Sequence, residues 1–388
     1  MSEWPMVKLG EVISRVDETE QILKPEDETF VTLKLHGKGV VPRNIGDGKT
    51  PKSFRGFRVK LGQFIYSRID ARNGAFGIIP AELDGAVVSK DFPVYEVDSA
   101  EIMPSILISI CTSEYFVNQI RSMSNGATNR QRIKEDVLER MLIPLPPLGE
   151  QKRIAEILGG VSKAIQKTKV QLLLVDILKE NKYLSLSKDA DTFKSLKDLG
   201  VKKITGKSIV AKPDNEHGIN QIIKVSAVSS GRFIASETKP LPADYEPNNL
   251  HEIHQGDLLF ARASGSANLL GACCIVDKEI QHLYLPDKVW KLEVDEDILP
   301  KVYLLQALRG REFRSVAESH FSSSTGVKNI KTSVLMEFKI PVLKQDQLND
   351  YVHFVKTLDN LRHLLHRKLF LLQELQKSLA TRAFAGLL

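Results

Sequence analysis

The sequence predicts an α+β protein in which two globular units, related by a pseudo-two-fold axis, are separated by two long antiparallel helices forming a coiled coil. Three observations predict this. The chain repeats itself at about half its 388 residues, each copy mixes strand and helix patterns, and each copy closes on a long proline-free apolar stripe.

The repeat is carried by short matches in the same order. Val7-Lys8-Leu9-Gly10-Glu11-Val12 is echoed by Lys194-Ser195-Leu196-Lys197-Asp198-Leu199. Leu61-Gly62-Gln63-Phe64-Ile65-Tyr66-Ser67-Arg68 is echoed by Gln255-Gly256-Asp257-Leu258-Leu259-Phe260-Ala261-Arg262, and Gly77 and Gly271 stand nine residues beyond the two arginines. The stretch from Gly126 to Ile133 leads through Leu138 to Ile143-Pro144. The stretch from Ser323 to Ile330 leads through Leu335 to Ile340-Pro341 with the same spacings. Several ordered matches of this kind indicate duplication.

Within a copy, FIYSRI and DLLFARA are apolar runs after a turn glycine, which suits strands. Apolar residues three and four apart predict helices over 104–123 and 299–316. Each unit spans roughly 145 residues, enough for one core.

Pro144-Leu145-Pro146-Pro147 stops both helix and central strand, so it marks a boundary. Beyond it Ile154, Leu158, Val161, Ile165, Leu172 and Val175 follow a coiled-coil spacing that Thr168 interrupts. The second copy gives Phe354, Leu358, Leu361, Leu365, Leu372, Leu375 and Leu379, interrupted at Lys368. A one-sided apolar helix is marginal alone, so each stripe needs a partner; duplication favours the other stripe, and the alternative is a helix lying on its own globular unit. The divisions expected are 1–145 and 189–343 for the globular units, with 146–188 and 344–388 for the helices.

Composition narrows the function classes. Hydrophobic residues at 42% and charged residues at 26% fit a folded protein and exclude bulk disorder. The net charge of +6 is compatible with a polyanion partner without requiring one. No run of about 18 apolar residues exists and the first residues lack a signal peptide's apolar core, so no membrane association and a cytoplasmic location are expected. Three cysteines cannot build a disulfide framework or a four-ligand zinc site, and Cys273-Cys274 in GACCIV reads as buried strand packing. No phosphate loop, H-E-x-x-H helix, dinucleotide fingerprint, amino-methyltransferase motif or hydrolase elbow is found. His363 and His366 lie one helical turn apart and read as a solvated flank, so no catalytic residue and no metal site are assigned.

The W-x-x-V-K-L-G-E-V opening (Trp4 to Val12), the G-[QD]-[FL]-[IL]-x-[SA]-R runs and the G-A-T-x-x-R-x-I stretch ending in IPLPPLGEQKRI resemble type I restriction-modification specificity subunits. So do the heptad segments and LATRAFAGL (Leu379 to Leu387). The second boundary, IPVLKQDQLND, departs from IPLPPLGEQKRI, and Val327 stands where Arg130 stands in the first copy. The resemblance implies two target recognition domains, each reading one half of an asymmetric, interrupted site in double-stranded DNA. It also implies two modification subunits that use S-adenosylmethionine and restriction subunits that use ATP and Mg, with no cofactor in this chain. A helix of about 35 residues spans ~50 Å against ~34 Å per DNA turn, so the pair has the length of a spacer ruler.

Affinity for DNA comes from Lys and Arg on phosphates, and specificity from Arg, Asn or Gln on base edges. That chemistry nominates Arg68, Arg72, Asn73, Asn129, Arg130, Gln131 and Arg132 in the first copy. In the second it nominates Arg262, Ser264, Ser266, Asn268, Lys328 and Asn329. Because Arg68 and Arg262 recur, they equally suit a role in the shared fold. Two other readings remain open on the sequence: a stand-alone nuclease with an unfamiliar site, and a scaffold that binds only protein.

Overall fold

The computed structural model describes residues 4–43, 51–123, 132–209, 217–264, 269–320, 322–324 and 327–388, without the side chains of 217–218, 322–324 and 327. The chain divides into two compact units, residues 1–169 with 367–388 and residues 170–366. Among the described residues no helix is long and apolar enough to cross a membrane.

The first unit is built on a four-stranded antiparallel sheet in the order Ile13–Arg15, Val94–Val97, Phe64–Tyr66, Phe76–Ile78. A separate pair joins Met6–Lys8 to Leu142–Pro144, with Val7 opposite Ile143. The second unit repeats this plan. Its sheet runs Lys202–Thr205, Val289–Glu293, Leu258–Ala261, Cys273–Ile275, and Phe193–Ser195 pairs with Lys339–Pro341, Lys194 facing Ile340. The echoed residues of the sequence therefore occupy matching places, and the Ile-Pro ends are strands that return to the start of their own unit.

The helical stretches break where the chain must turn back. Residues 104–123 form Pro104–Cys111 and Glu114–Met123, and the second copy forms Lys301–Arg309 and Arg311–His320 on either side of Gly310. Peripheral structure differs between the copies. The first unit carries the hairpin Val31–Leu33/Val40–Pro42, whereas the second carries the short helix Ser226–Ser229 and a sheet in which His217–Ile223 lies parallel to Leu283–Tyr284.

Pairing also corrects one match in the repeat. Phe76 faces Tyr66 and Cys273 faces Phe260, so the counterpart of Gly271 is Gly74, not Gly77. Gly74 and Gly271 both take a left-handed φ, +72° and +75°, a conformation costly for other residues. Gly77 lies inside the strand Phe76–Ile78, and glycine is needed there because a Cβ would stand 2.2 Å from Val40 Cγ2. The second copy holds three more residues between its arginine and its turn, which equal spacing on paper concealed.

The long helices are Leu148–Lys188 and Gln345–Phe384. On the first, Ile154, Leu158, Ile165, Thr168, Leu172, Val175, Lys179 and Tyr183 are buried. Thr168 thus continues the stripe, its hydroxyl satisfied by the Ala164 carbonyl at 2.8 Å. On the second, Leu348, Tyr351, Val355, Leu358 and Leu365 are buried, while Leu361 and Leu375 are 43% and 45% exposed. The buried heptad therefore runs through Arg362 instead of Leu361, one position from the stripe expected.

Each unit contains an antiparallel stretch of this pair. In the second, Arg362 bonds Asp176 and Lys179 Nζ lies 2.5 Å from Asp359 Oδ1, three residues forward on one helix and three back on the other. In the first, Gln376 Nε2 donates to Ser162 Oγ at 2.8 Å. The helices also enter the globular cores. Ile154, Leu158 and Ala383 pack with Phe64, Tyr66 and Tyr95, and Tyr183, Leu348, Tyr351 and Val355 pack with Phe260, Tyr303 and Phe313.

Burial pulls the Lys179 ammonium below its usual pKa range, opposed by the hydrogen bond it donates to Asp359. Asp359 itself is half exposed, so the pair offsets a desolvation cost more than it adds stability. Replacing Asp359 with Ala should therefore cost about 1 kcal/mol in urea denaturation, whereas Lys179→Met should be neutral or stabilising.

Candidate nucleic-acid interface

In each unit the arginine that ends the central strand meets the segment returning toward the Ile-Pro strand. Ile133 N donates to the Arg68 carbonyl at 2.9 Å, and Ile330 N to the Arg262 carbonyl at 2.8 Å. Arg68 N and Arg262 N donate in turn to the Asp91 and Lys288 carbonyls, at 3.0 and 3.1 Å. Backbone thereby joins Arg68 to the segment that carries Arg132, and Arg262 to the segment that carries Lys328 and Asn329.

The side chains differ. Arg68 pairs with Glu135 and Arg132 with Asp91 at 3.2 Å, and Tyr66 Oη donates to the Ile133 carbonyl at 3.0 Å. Arg262 Nε donates to the Asp287 carbonyl at 2.8 Å, and its guanidinium lies 5.8 Å from the Trp290 ring centre. Arg68 and Arg262 are each bound into their own unit and act there as braces. Arg132, with a side chain 56% exposed, keeps its outer face in solvent.

Arg72 and Asn73 lie on the 3-10 helix Ala71–Asn73 and are half-buried. Asn73 Nδ2 donates to Asp70 Oδ1 at 3.3 Å, and Arg121 Nε to the Arg72 carbonyl at 2.9 Å. In the second unit Ala263–Ser264 pairs with Val327–Asn329, Ala263 opposite Asn329 and Ser264 opposite Lys328. Ser264 is buried, with little surface to present to a ligand, whereas Lys328 and Asn329 are half-buried. Asn129, Arg130, Gln131, Ser266 and Asn268 lie outside the described residues.

Sequence reasoning passed over Asp91, Glu135, Asp287 and Trp290, the groups that hold these arginines. They come from another strand, from loops and, for Glu135, from the start of the helix Glu135–Glu139, and nothing near them in sequence marks the partnership. Exposed Lys134, Lys288 and Lys331 adjoin the same segments and were likewise unmarked.

The remaining chemistry is structural. Cys111, Cys273 and Cys274 are buried free thiols, and burial pushes Cys273 and Cys274 up to about 11 and about 12, far from nucleophilic thiolates. His366 contacts Arg232 across 3.0 Å, and His254 contacts Glu279.

Residues 1–174 match the family model described as type I restriction modification DNA specificity domain. The chain is 26% identical over 311 residues to the EcoKI specificity subunit of Escherichia coli K12, covering 74% of this chain and 66% of that protein. It is 24% identical to the StySPI specificity subunit of Salmonella potsdam, covering 74% and 65%. The chain thus spans about two thirds of the length of these relatives. Among solved structures, the S subunit of a type I restriction-modification system from M. genitalium aligns over 99% of this chain and 96% of its own, with a TM-score of 0.52 and 13% identity. A chain from a type I R-M system, solved in a study of complex assembly and conformational transition, aligns over 99% and 98%, with a TM-score of 0.55 and 18% identity.

If Arg68 is a brace, Arg68→Ala should lower stability by about 1–2 kcal/mol by leaving Glu135 unpaired. Arg132→Ala should stay within about 0.5 kcal/mol. Paired urea melts check both, and equal losses would remove the distinction. Residues 1–174 thus match the model of the type I restriction modification DNA specificity domain, and the chain is similar over 74% of its length to the EcoKI specificity subunit.

Proposed function

We propose that the chain is the DNA sequence-specificity subunit of a type I restriction-modification complex and that it catalyses no reaction itself. Each unit reads one half of a bipartite, asymmetric site in double-stranded DNA. The long helices set the gap between the halves and dock two modification subunits. Methyl transfer from S-adenosylmethionine and ATP- and Mg-dependent restriction belong to the partner subunits, and the complex acts in the cytoplasm.

The observation that supports this most is the duplicated junction between strand-end arginine and returning segment, conserved in backbone and altered in side chains. A common frame with different outer groups suits two readers of two different sequences, because phosphate contacts position a protein while base contacts specify. A single hydrolytic centre has no need of two such frames.

Docking finds support on the helices. Val170, Leu173, Leu174, Ile177 and Leu178 are exposed on the first helix at spacings that place them on one face. Leu361 and Leu364 are exposed on the second. The outer faces are therefore more apolar than their Lys, Glu and Gln content suggests, and exposed apolar patches mark protein contact sites.

Purified with its methyltransferase, the chain should confer methylation on a bipartite motif that sequencing of modified genomic DNA reveals. Inserting one heptad into each long helix, within 163–169 on the first and at the facing position on the second, adds about 10 Å. The gap should lengthen by about 3 base pairs with both half-motifs unchanged. Altered half-motifs across an unchanged gap would rule out the ruler.

A further inference from the structure

The first unit carries a basic loop at the tip of the hairpin Val31–Leu33/Val40–Pro42. Residues 34–39, Lys-Leu-His-Gly-Lys-Gly, join the paired strands Val31–Leu33 and Val40–Pro42. Lys34, Leu35, His36, Gly37 and Lys38 are exposed. Among the described residues neither lysine has an ion-pair partner, although the chain elsewhere pairs Arg15, Arg58, Arg68, Lys179 and Lys291.

The loop is held firmly at its backbone. Lys34 N donates to the Gly39 carbonyl at 2.9 Å, closing it on itself. His36 N donates to the Asn73 carbonyl at 2.7 Å and Gly37 N to the Gly74 carbonyl at 3.0 Å, tying it to the turn that carries Arg72 and Asn73. A Cβ on Gly37 would stand 2.9 Å from Thr112 Cβ, so the loop is seated against the helical layer as well. Arg121, on Glu114–Met123, completes the assembly through its bond to the Arg72 carbonyl. Five basic side chains, those of Lys34, His36, Lys38, Arg72 and Arg121, thus share one fixed piece of surface.

His36 adopts a φ of +59°, a conformation that costs a non-glycine residue roughly 1–2 kcal/mol. Glycine, which follows it twice in this loop, would avoid the cost. Among the described residues His282 is the other non-glycine with positive φ, but its N–H donates to Glu252 Oε1 at 3.3 Å, an acidic setting. At His36 the strained backbone instead presents an imidazole between two exposed lysines.

We propose that this loop is a DNA-contacting element of the first unit, with Lys34 and Lys38 on phosphates and His36 entering a groove beside Arg72 and Asn73. Fixed backbone, two exposed lysines with no ion-pair partner among the described residues and a short ring meet the two demands of recognition, phosphate anchoring and placement of a side chain against bases. The inference rests on the reading of the chain as a DNA-specificity subunit.

The test uses the full chain purified with its methyltransferase, a duplex carrying the wild-type methylated motif, and the variants K34Q/K38Q and H36N. Asparagine tolerates a positive φ, so H36N keeps the loop while removing the imidazole. K34Q/K38Q should bind at least tenfold more weakly at about 0.15 M salt, with a slope of log affinity against log salt smaller by about two. H36N should relax one half-motif and leave the other unchanged. Variants matching wild type in affinity, salt slope and motif would overturn the inference while leaving the function standing. Wild-type complex without a sequence preference would overturn both.

Discussion

Ile154, Leu158, Tyr183, Leu348, Tyr351 and Ala383 lie on long helices, yet they are buried in the cores of globular units. That shared burial is the constraint on which the rest of the structure depends. A helix that packs only against another helix can slide or turn by one position at small cost. A helix whose terminal residues fill a globular core cannot, because each large side chain withdrawn from a core costs several kcal/mol, roughly 3–5 for an aromatic ring. The antiparallel register within each unit follows, and the ion pairs of Asp176 with Arg362 and Lys179 with Asp359 fall into line with it.

The same packing explains why both Ile-Pro strands return to the start of their units. Met6–Lys8 with Leu142–Pro144, and Phe193–Ser195 with Lys339–Pro341, place the chain at the point from which each long helix departs. The returning segment on its way to that strand must pass the end of the central sheet. There Ile133 and Ile330 bond to the carbonyls of Arg68 and Arg262. The frame is imposed by backbone hydrogen bonds, so the side chains around it are free to diverge. Divergence is what they show: Glu135 and Asp91 in one unit, Asp287 and Trp290 in the other.

Much of this was legible in sequence, for reasons tied to particular residues. The glycine-led runs, the arginines and the Ile-Pro pairs are local signals, and duplication doubles each of them. The heptads were legible as stripes but not in register, since Thr168 is buried where its polarity suggests a break and the half-buried Arg362 takes the position expected for Leu361. Whether a polar residue interrupts a stripe depends on what faces it, as Asp176 faces Arg362, and that is a property of the fold. The equivalence of Gly74 with Gly271 was hidden by three extra residues in one copy. Residue type alone cannot tell a brace such as Arg68 from an exposed cation such as Arg132. The loop over 34–39 went unmarked because it has no echo in the second copy, where a short helix over Ser226–Ser229 is built instead.

A common frame with interchangeable outer groups makes recognition modular, one unit to each half of the target. Replacing residues 189–343 with the first unit's own 1–145 tests that modularity most directly, read by sequencing the DNA methylated when the chimera is expressed with its methyltransferase. Two copies of a single half-motif are expected in the new target. A folded, active chimera whose target still contains the original second half-motif would contradict the assignment of one unit to each half.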